Sequence, residues 1–227
     1  MISQNVQNIV EKIDFCCKKH DRKTSDVKLI AVSKYFKVED VKEAIKASLT
    51  NFGENKAQEL DNKFGALGNI VKWHFIGHLQ VNKAKYVVKA ADIIHSVDSI
   101  KLAEEINKRA SSAGKIQQIL LEIKTSDEET KFGLNDSDSI FKLAEYCSAS
   151  TNLKLLGLMT IAPFTDNESV IRKSFSGLRE LKDKLNGRGF GLTELSMGMS
   201  NDFEIAIQEG STMLRIGTAI FGERIYN

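Results

Sequence analysis

The chain has little of several things. One proline occurs in 227 residues, so few linkers can be drawn and a string of separate small modules is not expected. Its 3 cysteines fall as the neighbours Cys16 and Cys17 and a distant Cys147, spacings that fit neither a disulfide framework nor a zinc site, so reduced thiols are expected. No apolar run approaches the length of a membrane span. The start, Met1-Ile2-Ser3-Gln4-Asn5, is polar and carries no secretory pattern; a cytoplasmic protein without membrane contact is the expectation. A net charge of +2 gives no electrostatic case for nucleic acid. No Gly-x-Gly-x-x-Gly follows the first apolar run, so a dinucleotide-binding sheet lacks its fingerprint.

What is present is rhythm. With 42% hydrophobic and 27% charged residues, the composition is that of an ordinary globular chain. Val6, Ile9, Val10, Ile13 and Cys17 predict a helix over 2–20. Short apolar runs then alternate with helical patterns. Strands are expected at 27–34, 51–55, 72–77, 92–97, 116–124, 153–160, 194–199 and 213–216. Helices are expected at 38–48, 56–64, 82–91, 99–113, 137–150, 167–186 and 202–208, with Asp98 or Ser99 capping the helix that Gly114 closes. Asp127, Glu128 and Glu129 read as part of a solvated loop. Eight strands at even spacing, nearly all followed by a helix, describe a single (β/α)8 barrel over 1–227 with an extra N-terminal helix. An open doubly wound sheet is the alternative.

On that map the unusual residues fall at one rim. The run Leu29-Ile30-Ala31-Val32-Ser33-Lys34 is four apolar residues ending in serine and lysine, the pattern of a buried parallel strand emerging from a core. Ligands bind at the carboxyl ends of such strands. A partly desolvated lysine there can act as an uncharged amine nucleophile toward an aldehyde or ketone. Asn55 ends the second strand and His78 follows the third. Met159-Thr160 ends the sixth, Ser196 to Asp202 the seventh, and Arg215-Ile216-Gly217-Thr218 the eighth. A phosphate site in barrels is often built from the last two loops. Ser200 could serve it or cap a helix, and Gly217 could admit a ligand or serve packing, with Thr218 adding a hydroxyl. Together they suggest a ligand with both a carbonyl and a phosphate. Met197 and Met199 could line a ring pocket or pack in the core. His74 and His78 share a strand face, yet no carboxylate or cysteine set accompanies them, so no metal is expected; His74 reads as a satisfied buried histidine and His78 as a rim group.

The ordered stretches Ala31-Val32-Ser33-Lys34, Phe52-Gly53-Glu54-Asn55, Trp73 to Gln80 with Asn82-Lys83, Gly157-Leu158-Met159-Thr160, Ser196 to Asp202 and Arg215 to Gly222 carry a resemblance. Over essentially its whole length the sequence resembles the pyridoxal phosphate homeostasis protein family. The resemblance implies a barrel similar to the N-terminal domain of alanine racemase, with pyridoxal 5′-phosphate as cofactor. By position, Lys34 would form the aldimine, and Ser200, Gly217 and Thr218 would hold the phosphate. Arg215 would face the pyridine nitrogen, Asn55 would lie near the ring, and His78 and Met199 complete the implied site. The implied function is intracellular buffering or delivery of the cofactor to dependent apo-enzymes, by a monomer without catalysis of its own. The rivals are a single-domain amino-acid racemase, which lacks a second base from another domain, and a Schiff-base aldolase, which would carry its lysine on strand six.

Overall fold

The computed structural model describes residues 1–125 and 132–222, which leaves Asp127, Glu128 and Glu129 outside the described residues. The first helix, α1 (Ile2–Lys19), buries Ile2, Val6, Ile9, Ile13, Cys16 and Cys17. Val10, expected on the same face, stays 42% exposed, because it lies one residue, or about 100°, round the helix from Ile9. Strands and helices then alternate: β1 (Lys28–Val32), α2 (Val38–Lys46), β2 (Asn51–Glu54), α3 (Ala57–Leu67), β3 (Lys72–Phe75), α4 (Ala84–Ala90), β4 (Ile93–Val97) and α5 (Ile100–Ser112). The second half continues with β5 (Gln117–Glu122), α6 (Ser137–Ala149), β6 (Leu153–Met159), α7 (Glu168–Asn186), β7 (Glu194–Ser196), α8 (Phe203–Gln208), β8 (Met213–Ile216) and α9 (Thr218–Phe221).

The strands pair in parallel in chain order and close into a barrel, with Ala31 of β1 opposite Ile216 of β8 and Phe52 of β2. The expected (β/α)8 architecture is therefore the observed one. Strand periodicity sorts the side chains into two layers. Phe52, Trp73 and Phe75 point outward into the large core beneath the helices. Ile30, Ile93, Leu120, Met159 and Met213 form a separate apolar cluster, the packed plug inside the barrel.

Helix boundaries follow local chemistry. The Ser99 side chain accepts from Leu102 N–H at the start of α5, Asp136 does the same for Ser139 in α6, and Asn167 caps α7 through Ser169 and Val170. Gly114, at φ +62°, ends the turn after α5. Strands are shorter than their apolar runs. After β1 the ladder ends with Ser33 N–H donating to Gly53 O, and the chain turns through Tyr35 at φ +70°. After β7 it turns at Gly198, φ +97°, where a Cβ would lie 2.6 Å from Ala206 Cβ. That turn lifts Met199, Ser200 and Asn201 onto the rim. Asp202, expected to open α8, instead occupies its cap position. The four-residue α9 was not expected; it is too short to show a period.

Candidate functional site

Lys34 is placed by what lies beneath it. It follows Ser33, which is fully buried, and shares the inward parity of Ile30 and Val32. The Lys63 Nζ, from α3, donates to the Ser33 carbonyl at 2.6 Å and to Glu54 Oε1 at 2.6 Å, and the Ser33 hydroxyl donates to that same oxygen at 2.6 Å. Beyond Lys34, Tyr35 N–H donates to Glu59 Oε2 at 2.8 Å. Both neighbours of Lys34 are thus held to side chains of α3 and β2. Burial pushes the Glu54 carboxyl above its ordinary pKa, with Lys63 opposing.

At the carboxyl end of the strands lies a cavity of about 790 Å³. All eight residues singled out from the sequence line it: Lys34, Asn55, His78, Met199, Ser200, Arg215, Gly217 and Thr218. The Arg215 side chain shares the inward face of Met213 and is 4% exposed. Its Nη1 donates to Ser196 Oγ at 2.7 Å and its Nη2 to the Thr160 carbonyl at 2.8 Å. Burial lowers its pKa to about 10, opposed by Asp202 and Glu122, so it remains a cation at neutral pH. Ser200 Oγ accepts from Ala219 N–H at 3.4 Å, which ties the β7 loop to α9; Ser200 is not the cap of α8. A Cβ on Gly217 would stand 3.3 Å from the Val32 carbonyl, so this glycine serves packing against β1 while still facing the cavity. Met197 is fully buried, whereas Met199 is 36% exposed on the rim. His78 stacks on Phe132, ring centroids 3.9 Å apart, with its Nδ1 3.7 Å from Asp98.

His74 is the satisfied buried histidine expected of it. Its Nδ1 lies 2.9 Å from His95 Nε2 and its Nε2 3.2 Å from Asn51 Oδ1. Among the described residues no group of three His, Cys, Asp or Glu side chains could hold a metal. Two members of the site were missed. Glu122, at the end of β5, is buried and lines the cavity. Burial, then Asp98, pushes its carboxyl up to about 7, with Arg215 opposing. Its signal was a lone charge in the apolar run from Ile119 to Ile123. His95, under the cavity floor, had no signal beyond being polar in an apolar strand.

The residues suit a phosphorylated heteroaromatic aldehyde. An amine, a buried guanidinium and hydroxyls stand round one cavity, and two lining atoms, Asn55 Oδ1 and Glu122 Oε2, are buried without a partner among the described residues. Buried acceptors of this kind call for a donor. The sequence pattern of the family described as Alanine racemase, N-terminal domain, matches residues 5–225. The chain is 42% identical to the pyridoxal phosphate homeostasis protein of Aquifex aeolicus (strain VF5), over 98% of both. The chain belongs to the pyridoxal phosphate homeostasis protein family. Another full-length structural likeness is to PipY of Synechococcus elongatus PCC7942, whose structure was determined with PLP bound: TM-score 0.85 and 32% identity over 98% of this chain and 100% of that one. Alanine racemase of Clostridium difficile 630 shares the fold, with a TM-score of 0.77 at 18% identity, over 99% of this chain but 57% of that one.

Proposed function

We propose that this chain holds pyridoxal 5′-phosphate at the carboxyl end of its barrel and buffers or delivers it, in the cytoplasm, to apo-enzymes that need it. The observation that carries this reading is the convergence of Lys34, Ser200, Thr218 and the buried Arg215 on one cavity, in a family whose relative PipY holds PLP. When bound, the cofactor supplies an aldehyde for a primary amine, an anionic phosphate and a pyridine nitrogen. Lys34 is the amine, held in place by the clamped backbone on either side. Ser200, Gly217 and Thr218 sit together on the β7 and β8 loops, where hydroxyl and backbone donors suit an anion. Asn55, His78 and Met199 enclose the ring. Arg215 can only donate, so it keeps a ring nitrogen opposite it unprotonated and withholds the pyridinium that carbanion chemistry favours.

The test is chemical. Purified wild-type protein loaded with pyridoxal phosphate and reduced with borohydride should carry the cofactor's mass on the peptide containing Lys34. Lys34→Ala should carry none, yet should still bind reversibly, because the phosphate contacts are separate from the amine. Cofactor fixed to a different lysine in the wild type would overturn the assignment.

The fold shared with alanine racemases favours a second reading, an amino-acid racemase on one barrel. Racemisation needs an acid or base on each side of the substrate plane, and Lys34 serves one side. Loaded protein incubated with alanine in deuterated water is expected to show little α-proton exchange and to pass cofactor to an apo-enzyme. Exchange at rates of about 1 per second or more, the range of working enzymes, would promote the racemase.

A further inference from the structure

A file of polar side chains crosses the barrel interior from β2 to Arg215, and the proposed function does not use it. Arg215 Nη1 lies 2.7 Å from Ser196 Oγ. Ser196 Oγ lies 2.9 Å from His95 Nδ1, His95 Nε2 2.9 Å from His74 Nδ1, and His74 Nε2 3.2 Å from Asn51 Oδ1. Ser196 and His95 are fully buried and His74 is 1% exposed. The file links four strands: β8, β7, β4 and β3, and ends on the first residue of β2.

The direction of every bond follows from its ends. Burial pushes the His74 imidazole down to about 3 and His95 well below its ordinary value, so each ring is neutral and carries one N–H and one acceptor. The guanidinium can only donate, so Ser196 Oγ accepts from it, and the serine's own proton goes to His95 Nδ1. That leaves the His95 proton on Nε2, pointing at His74 Nδ1. The His74 proton is then also on Nε2, pointing at Asn51 Oδ1, while Asn51 Nδ2 donates to Thr50 Oγ1 at 3.1 Å. The opposite order would set the bare Nε2 of His74 against the Asn51 oxygen. It would also present two donors to Ser196 and leave the serine proton without an acceptor.

We propose that Ser196, His95 and His74 are positioning residues for Arg215, forming a one-way hydrogen-bond chain anchored at Asn51 that orients the guanidinium toward the ligand and selects ligands with an unprotonated ring nitrogen. Each bond in a chain polarises the next, so a serine that gives its proton to His95 is a better acceptor for Arg215. Two guanidinium directions are taken by Ser196 and the Thr160 carbonyl, which leaves the remaining N–H groups in a set orientation beside the cavity. The identity of the ligand rests on the cofactor reading above; the direction of the chain does not.

Two experiments test it on the full-length protein. Nitrogen-15 NMR of the ligand-free protein at pH about 5, below the ordinary imidazole value of about 6.5, should show His74 and His95 neutral with the proton on Nε2 in both. A charged ring, or an Nδ1 proton on either, overturns the chain. Ser196→Ala is then titrated with pyridoxal phosphate and with its deaza analogue, in which carbon replaces the ring nitrogen. The expected result is about a tenfold loss of affinity for pyridoxal phosphate, the size of one charged hydrogen bond, a shifted absorption maximum of the bound cofactor, and unchanged affinity for the analogue. Equal losses for both ligands, or no loss, overturn the positioning role. Failure of the wild type to bind either ligand would count against the cofactor reading, and the NMR result would still decide the chain.

Discussion

Replacing Lys63 with methionine is expected to destabilise the protein by about 3–5 kcal/mol, the cost of leaving one partner of a buried ion pair uncompensated. Lys63 reads in the sequence as one more helix lysine, yet it is 5% exposed and its partner Glu54 is fully buried. Its ammonium satisfies two acceptors at 2.6 Å, the Ser33 carbonyl and Glu54 Oε1, while Glu54 Oε2 already lacks a partner among the described residues. Methionine fills similar volume, so the loss would be electrostatic rather than a cavity. Urea unfolding of Lys63→Met measures it, and a double variant with Glu54→Leu should recover most of the difference, because removing both charges removes the desolvation cost. A loss under about 1 kcal/mol, the size of an exposed pair, would show that the pair is solvated after all. Since Ser33 precedes Lys34, the variant should also lose cofactor affinity beyond its loss of stability.

Acid should unfold the protein early. His74 titrates near 3 when folded and His95 well below its usual value, against about 6.5 for an unfolded imidazole. Between those values the unfolded chain binds protons that the folded one refuses, so stability is fully present above pH about 6.5 and drains away as pH falls. Each histidine contributes up to about 1.4 kcal/mol per pH unit. Two units therefore cost about 3 kcal/mol through His74 alone, a large share of the stability of many domains, and His95 adds to the loss in the same direction. Glu122 works the other way. Its folded value of about 7 lies above the ordinary 4.5, so its contribution is complete below 4.5 and is lost as pH rises toward 7, which partly offsets the histidines between those limits. The difference between wild type and His74→Asn isolates one histidine. Its slope against pH should be about 1.4 kcal/mol per unit below pH 6.5. A flat difference would mean that His74 is charged, or solvated, in the folded state.

The barrel was legible because its rhythm is local. Each strand is a short apolar run, each helix a 3.6-residue pattern, and the signals that bound them, Ser99 and Gly114 among them, lie within a few residues. The rim was legible for the same reason, since a polar residue ending an apolar run marks where a strand leaves the core. Cofactor identity was not in the spacing; it came with the family resemblance. What stayed hidden depends on distant partners. His95 meets Ser196 across 101 positions of sequence, and Lys63 is buried only because β2 brings Glu54 beneath α3. Glu122 is a lone charge in its apolar run and was still passed over, because its facing the cavity depends on strand parity that a boundary error of one residue would reverse. The short α9 and the exposed Val10 were lost to length and to a one-residue ambiguity in helix phase.

The barrel also contains its own light source. The single tryptophan of the chain, Trp73, is fully buried on β3, its Nε1 donating to the Gly68 carbonyl at 3.1 Å and its ring 6.0 Å from Phe52. Its neighbour in sequence, His74, belongs to the hydrogen-bond chain under the cavity. An indole held rigidly in apolar surroundings emits toward the blue. A vitamin-derived chromophore seated a short way along the same barrel would overlap that emission and quench it by energy transfer. Loading and release of the cofactor can therefore be followed through one native fluorophore, with no label attached and no side chain of the site disturbed.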